Sequence, residues 1–160
     1  MPLLRTLLAH PRTRGLDLDD PRTTERRRQI IRDKPFLKRI YHEWYQALAE
    51  ALPAVPGPVL ELGSGAGFLR DVIPRDLVTS ERLFYGGVDA ILDGQVLPFR
   101  DASLRAIVFT DVLHHLPDVR AFLREAERAI KPGGVVAMVE PWVSPWSRLI
   151  IRSPAPPAPA

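Results

Sequence analysis

The sequence contains no cysteine, two methionines and only three lysines, and no apolar run approaches the roughly 20 residues needed to cross a bilayer. Without cysteine there is no disulfide framework, no thiolate zinc site and no cysteine nucleophile. Without a long apolar run no membrane-spanning helix is expected. The opening MPLLRTLLAH is interrupted by Arg5 and followed by no small-residue cleavage site, so the expected address is the cytoplasm. What is present is 160 residues, 46% hydrophobic and 26% charged, the balance of a globular chain and not of a disordered one. That length suits one domain with its own core.

The net charge of +3 is unevenly placed. The basic excess lies in the first 50 residues, including Arg26-Arg27-Arg28, while the remainder is slightly acidic. A basic run can attract phosphate backbones, but on a helix it commonly forms a solvated face. No nucleic-acid partner is expected. The preference for arginine over lysine reflects codon composition and marks no site.

Residues 1–20 carry turn and breaker signals and read as an irregular segment. Asp20-Pro21 reads as a cap and first turn, predicting a helix from about Pro21 to Arg32. Asp33 and Pro35 punctuate it. A second helix follows, in which Phe36, Leu37, Ile40, Tyr41, Trp44, Leu48 and Leu52 recur at helical spacing. Such a stripe packs on a sheet; closure of Tyr41 or Trp44 over a ligand is the alternative. Residues 21–57 thus form a helical region and linker.

From Pro58 the character changes. Strands are expected at Val59–Leu62, Leu77–Glu81, near Val88–Leu92, at Ala106–Thr110 and at Val135–Val139, with a short helix from Phe68 to about Ile73. A longer helix, capped by Asp118, ends at Lys131-Pro132-Gly133-Gly134. Strands alternating with helices imply parallel pairing, hence an α/β, Rossmann-like, mostly parallel sheet with flanking helices.

The first strand runs into Gly63-Ser64-Gly65-Ala66-Gly67, where glycines permit positive φ and close backbone approach, and a helix N-terminus would add amide donors. Position 68 is Phe where a dinucleotide fingerprint requires glycine, and no Lys-Ser or Lys-Thr pair makes a P-loop. Carboxylates mark the strand ends: Glu61, Glu81, Asp93 and Asp111. Such a ring repels pyrophosphate and favours a ligand with a cationic centre, an ammonium group and ribose hydroxyls. Glu81 stands near the spacing expected for a ribose-binding carboxylate, with Asp89 as the competing assignment.

VLELGSGAGFL, Leu97-Pro98-Phe99 with Asp101, TDVLHHL, and IKPGG before a strand together resemble class I S-adenosylmethionine-dependent methyltransferases of the small-molecule, type 11-like kind. The resemblance covers about Pro58 to Glu140. It implies a seven-stranded Rossmann-like fold and S-adenosylmethionine as cofactor. It places Glu61, Gly63 and Gly65 around the methionine part, Gly67 in the turn, and Ser64 among the cofactor-binding residues. Glu81 would hold the ribose, Asp93 and Gly94 would flank the adenine, and Thr110-Asp111 would sit beside the sulfonium. The chain departs from the family in Leu104-Arg105, where Phe-Asp is common, and in Glu81, usually aspartate.

His114 and His115 follow the fourth strand and are the candidate catalytic residues, with His115 as general base if the acceptor arrives protonated. Alternatively one of them packs the loop. Adjacent residues rarely converge on one ion, so no metal is expected. Thr110-Asp111-Val112-Leu113 lacks the Asn/Asp-Pro-Pro-aromatic stretch of enzymes acting on base amino groups. A small-molecule or lipid-like acceptor remains.

Beyond Glu140, Trp142, Trp146, Leu149 and Ile150 share one face of an expected short helix, which seeks a core or touches a membrane or acceptor. Residues 153–160 form a Pro/Ala-rich tail expected to be disordered. The domain at 58–152 is therefore expected to lack the last two family strands, leaving the fifth as an exposed edge for self-association or a partner chain. The alternatives to an enzyme are a non-catalytic remnant binding a partner through that edge and a Rossmann-type oxidoreductase, against which Phe68 and the carboxylates argue.

Overall fold

The computed structural model describes residues 11–12, 16, 20–83 and 86–142. Helix α1 (Pro21–Asp33) begins where the Asp20 carboxylate accepts from the Arg22 amide, with proline in the first turn. A single residue, Lys34, separates it from α2 (Pro35–Glu50), and Pro35 again occupies the first turn. The two helices contact each other, and the pair is called the hairpin.

Five strands follow: β1 (Val59–Glu61), β2 (Leu77–Glu81), β3 (Ala90–Ile91), β4 (Leu104–Thr110) and β5 (Ile130–Val139). They pair in parallel in the order β3-β2-β1-β4-β5. Helix α3 (Val119–Ala129) crosses from β4 to β5, its first turn capped by the Asp118 side chain on the Ala121 amide. The order reverses at β1, so the ends of β1 and β4 diverge and leave a crevice beyond their carboxyl termini.

The sheet is covered on both faces, which explains why β1 is buried throughout and does not alternate. On one face Val59, Leu77, Ala106 and Val108 meet Ile31, Tyr45 and Leu48 of the hairpin together with Phe68, Leu69 and Ile73. Tyr45 stands edge-on to Phe68, with ring centroids 5.2 Å apart. On the other face Leu60, Ile107 and Phe109 meet Phe122, Ala126 and Ala129 of α3. Of the expected second-helix stripe, Leu48 is buried and Leu37, Tyr41 and Leu52 pack against this core, whereas Phe36 is exposed and Tyr45, outside the stripe, is buried in its place.

Three expectations change. The helix expected over Phe68–Ile73 is one 3-10 turn, Leu69–Asp71. Pro74 disfavours helical geometry at Ile73, and the chain must reach β2 three residues later. The strand near Val88–Leu92 shrinks to Ala90–Ile91, because the Asp89 carboxylate turns back to accept from the Thr79 amide and hydroxyl. Finally, Ile130 belongs to β5 and not to the preceding helix, pairing with Leu104 before a register shift accommodates Lys131–Gly134. Gly133 takes φ +80° within that irregular stretch.

The expected helix over Trp142–Ile150 and the tail at 153–160 lie outside the described residues, as does most of the segment 1–20; Trp142 itself is exposed. Among the described residues no helix is long and apolar enough to cross a membrane.

Candidate functional site

A cavity of about 1030 Å³ opens at the carboxyl ends of β1, β2 and β4, beneath the helical hairpin. Pockets for one small ligand usually span roughly 300–1000 Å³, so this one has room for a cofactor and a second molecule.

Its floor is the turn after β1. Gly63 and Gly65 take φ +65° and +49°, backbone that only glycine adopts without cost. Gly67 is required for a different reason. A Cβ there would fall 2.3 Å from the Tyr45 hydroxyl and 2.9 Å from the Ser64 carbonyl.

The amides of Ser64, Gly65 and Gly67 in this turn, and that of Phe68 after it, donate within the protein. Ser64 N–H donates to the Ser80 carbonyl at 2.8 Å and Gly67 N–H to the Ser64 carbonyl at 2.9 Å. Gly65 N–H donates to Glu81 Oε1 at 2.6 Å, and Phe68 N–H reaches the Tyr45 hydroxyl at 3.3 Å. Neither these donors nor the single 3-10 turn behind them form the open amide cradle that binds phosphate. The helix-terminus contribution expected from the sequence is therefore absent.

The carboxylates, by contrast, converge. Glu61, Glu81, Asp93 and Asp111 all line the cavity, as do Gly63, Ser64, Gly65, Gly67, Gly94, Thr110 and His115. Glu61 is the most buried of the four. Burial first, and then the nearby negative charge of Glu81, push its pKa up to about 7, although the Ser64 hydroxyl, donating to Oε2 at 2.7 Å, pulls the other way. Asp93 is held below the ordinary value by the Gln95 amide and side chain. Asp111 sits at φ 57°. That conformation is uncommon for a residue with a side chain and concentrates at functional sites. A positively charged ligand would relieve this crowding of negative groups.

The two histidines part company. His115 lines the cavity, whereas His114 does not and is bonded through Nδ1 to Glu140 Oε2 at 2.8 Å. Asp89 does not line the cavity either. Its carboxylate is spent on Thr79 and Arg70 outside it, which leaves Glu81 as the acid facing the turn. Among the described residues no cluster of His, Asp and Glu could hold a metal ion.

Sequence reasoning missed three contributors. Arg27, Ile30 and Ile31 of α1 line the cavity together with Leu37 and Tyr41 of α2, so the hairpin is a wall of the site. Of the aromatic pair, Tyr41 faces the cavity; Trp44 is not among its lining residues. The basic run is also divided by helical geometry. Arg27 points to the cavity, while Arg28 approaches the Gly65 carbonyl at 3.5 Å. Lastly, Arg128 donates to the Leu97 and Phe99 carbonyls and to Asp101, while Glu125 accepts from the Leu97 amide. This clamp fixes the loop leaving Asp93-Gly94, and it gives the Leu-Pro-Phe and Asp101 motif a structural role.

A family described as a methyltransferase domain matches residues 60–138. A probable S-adenosylmethionine-dependent methyltransferase of Mycolicibacterium smegmatis is 31% identical over 135 residues, covering 76% of this chain and 51% of that protein. A demethylmenaquinone methyltransferase of Tropheryma whipplei is 28% identical over 131 residues, covering 68% and 54%. The chain spans about half the length of these two relatives. Among solved structures, an S-adenosylmethionine-dependent methyltransferase fold from Methanococcus maripaludis superposes with a TM-score of 0.58 at 16% identity, covering 78% of this chain and 66% of that one. A Haloferax volcanii methyltransferase solved with the activator Trm112 gives 0.54 at 21% identity, covering 74% and 57%. These likenesses establish the fold.

Proposed function

We propose that the chain is a class I S-adenosylmethionine-dependent methyltransferase that transfers a methyl group to a small-molecule acceptor entering beside the α1–α2 hairpin, a reading supported by its likeness to the methyltransferase domain family over residues 60–138 and to the Mycolicibacterium smegmatis relative. The observation that carries this reading is the convergence of four carboxylates on a cavity floored by a glycine turn in which the Ser64, Gly65 and Gly67 amides already donate within the protein. That combination suits a cationic nucleoside and not a pyrophosphate.

Within the cavity, Glu61 and Ser64 would hold the amino-acid end of the cofactor with Gly63, Gly65 and Gly67 leaving it room. Glu81 would accept from the ribose hydroxyls. Asp93 and Gly94 would flank the adenine, and Thr110 and Asp111 the sulfonium. When bound, S-adenosylmethionine supplies an electrophilic methyl group on that sulfonium. The protein's part is then to align the acceptor in line with it and exclude water. Ile30, Ile31, Leu37 and Tyr41 offer an apolar wall for the acceptor's body, and His115 would take its proton if it arrives protonated.

A cyclic, apolar acceptor of quinone type is supported by this wall and by relatives described as demethylmenaquinone methyltransferases. The test is methyl transfer to a reduced, prenylated naphthoquinone, read by mass spectrometry, alongside calorimetric binding of S-adenosylhomocysteine. Transfer of one methyl group supports the acceptor class. Binding of S-adenosylhomocysteine without transfer to any quinol would overturn the acceptor and keep the cofactor.

A further inference from the structure

Glu140, the residue after β5, makes three hydrogen bonds that nothing in the motif pattern announces. Oε1 accepts from the Val112 amide at 2.8 Å and from the Leu113 amide at 2.7 Å. Oε2 accepts from His114 Nδ1 at 2.8 Å. The backbone donors belong to the turn Leu113–His115 that closes on β4, where His115 N–H also returns to the Val112 carbonyl. The His114 ring then lies against the His115 ring, with centroids 4.1 Å apart and planes tilted by 42°. An unbroken path therefore runs from β5 through Glu140 and His114 to the imidazole that lines the cavity.

We propose that Glu140 and His114 form a brace that positions the His115 imidazole in the acceptor half of the cavity. The inference rests on the reading of His115 as the acceptor's proton acceptor. It turns the pair of adjacent histidines into one reacting group and one positioning group. Without the carboxylate, two turn amides and one ring nitrogen lose their partner together, and the exposed His115 side chain has only its own rotamer preference to orient it. The bonded state also explains why the Glu140 pKa is low. Burial opposes its charge, but the His114 contact and the two amides outweigh that opposition.

The test uses the full chain labelled with 15N and 13C, as wild type and as Glu140→Ala, Glu140→Gln and His114→Phe. In the wild type, His114 carries its proton on Nδ1 and His115 shows one χ1 rotamer by three-bond couplings. In Glu140→Ala the Nδ1–H signature disappears and the His115 couplings average. Glu140→Gln, which keeps size and one carbonyl acceptor, loses less, and serves if the alanine variant fails to fold. His114→Phe keeps the ring contact and so keeps the His115 rotamer better than Glu140→Ala does. With a quinol acceptor that turns over, kcat falls roughly tenfold or more in Glu140→Ala while the KM for S-adenosylmethionine stays within about twofold, because a misplaced base costs chemistry and not cofactor binding.

An unchanged single His115 rotamer in a folded Glu140→Ala variant would overturn the brace. The couplings are read without ligand, so this outcome is independent of the proposed activity. The activity fails on a different observation, the absence of any response of the Gly63, Gly65 and Gly67 amides to S-adenosylhomocysteine.

Discussion

On the β1–β2 side of the cavity, a stretch from Glu61 to Gly67 supplies the floor, and the Ser64, Gly65 and Gly67 amides and the Ser64 hydroxyl donate within the protein. Another part of the wall comes from Arg27, Ile30, Ile31, Leu37 and Tyr41, side chains set on two helices well before the sheet begins. The first side is a constrained backbone with charge above it; the second is an apolar surface carried on a hairpin. Under the proposed function, cofactor binding would draw on the former and acceptor choice on the latter. A change on one side should therefore leave the other's ligand largely untouched, and substitutions on each side can challenge that separation.

The largest effect is expected at Gly67. Gly67→Val pushes a branched side chain into the Tyr45 hydroxyl and the Ser64 carbonyl, which cannot both retreat. Overpacking of this kind costs about 1–3 kcal/mol, and the distorted turn should weaken S-adenosylhomocysteine by about 100-fold. Thermal unfolding and calorimetry would check the two parts.

Glu61→Gln should act in opposite directions on binding and stability. The buried carboxylate has its folded pKa raised to about 7 from an ordinary 4.5. Its contribution to stability is therefore full below about pH 4.5 and is lost as pH rises through about 7. At pH 8 the glutamine variant should be more stable by about 3 kcal/mol, a gain that vanishes near pH 4.5. S-adenosylmethionine affinity should fall by about tenfold, since the variant cannot carry the compensating charge. Chemical denaturation at the two pH values decides the first claim.

A smaller effect follows in the unmodified protein. A cationic ligand favours ionised Glu61, so binding at pH 7 should release about half a proton, and affinity should rise by nearly tenfold from pH 6 to pH 8. Calorimetry in buffers of different ionisation enthalpy measures the released proton directly. Proton uptake would contradict the assignment.

The smallest change in cofactor affinity is expected on the hairpin. Leu37→Ala should leave S-adenosylhomocysteine binding within about twofold while raising the acceptor's KM several-fold, by about 1 kcal/mol of lost apolar contact. A large loss of cofactor affinity would show that the two sides are not separate.

How far the sequence disclosed each side follows from the same contrast. The glycine turn, the strand-end carboxylates and β2 are local features, and β2 falls at Leu77–Glu81 as expected. Their chemistry is set by residues a few positions apart. The segment after Phe68 reads as a longer helix than it forms, because Pro74 and the short path to β2 override its helical composition. Arg27 and Ile31 look like an ordinary helix surface in the sequence, and only the packing of the hairpin turns them towards a cavity. Asp89 separates from Glu81 only through the Thr79 amide and hydroxyl that claim it. Glu140 is hidden for the same reason, since its partners lie 26 to 28 residues earlier.

The proposed methyl transfer depends on the constrained, acidic side of the cavity holding S-adenosylmethionine. Calorimetric titration of the folded chain with S-adenosylmethionine at pH 7.5 addresses that dependence without any acceptor. Saturable binding at one site is expected, weakened most in Gly67→Val and less in Glu61→Gln. A folded wild-type chain that gives no binding heat with S-adenosylmethionine, but does so with a nicotinamide dinucleotide, would contradict it.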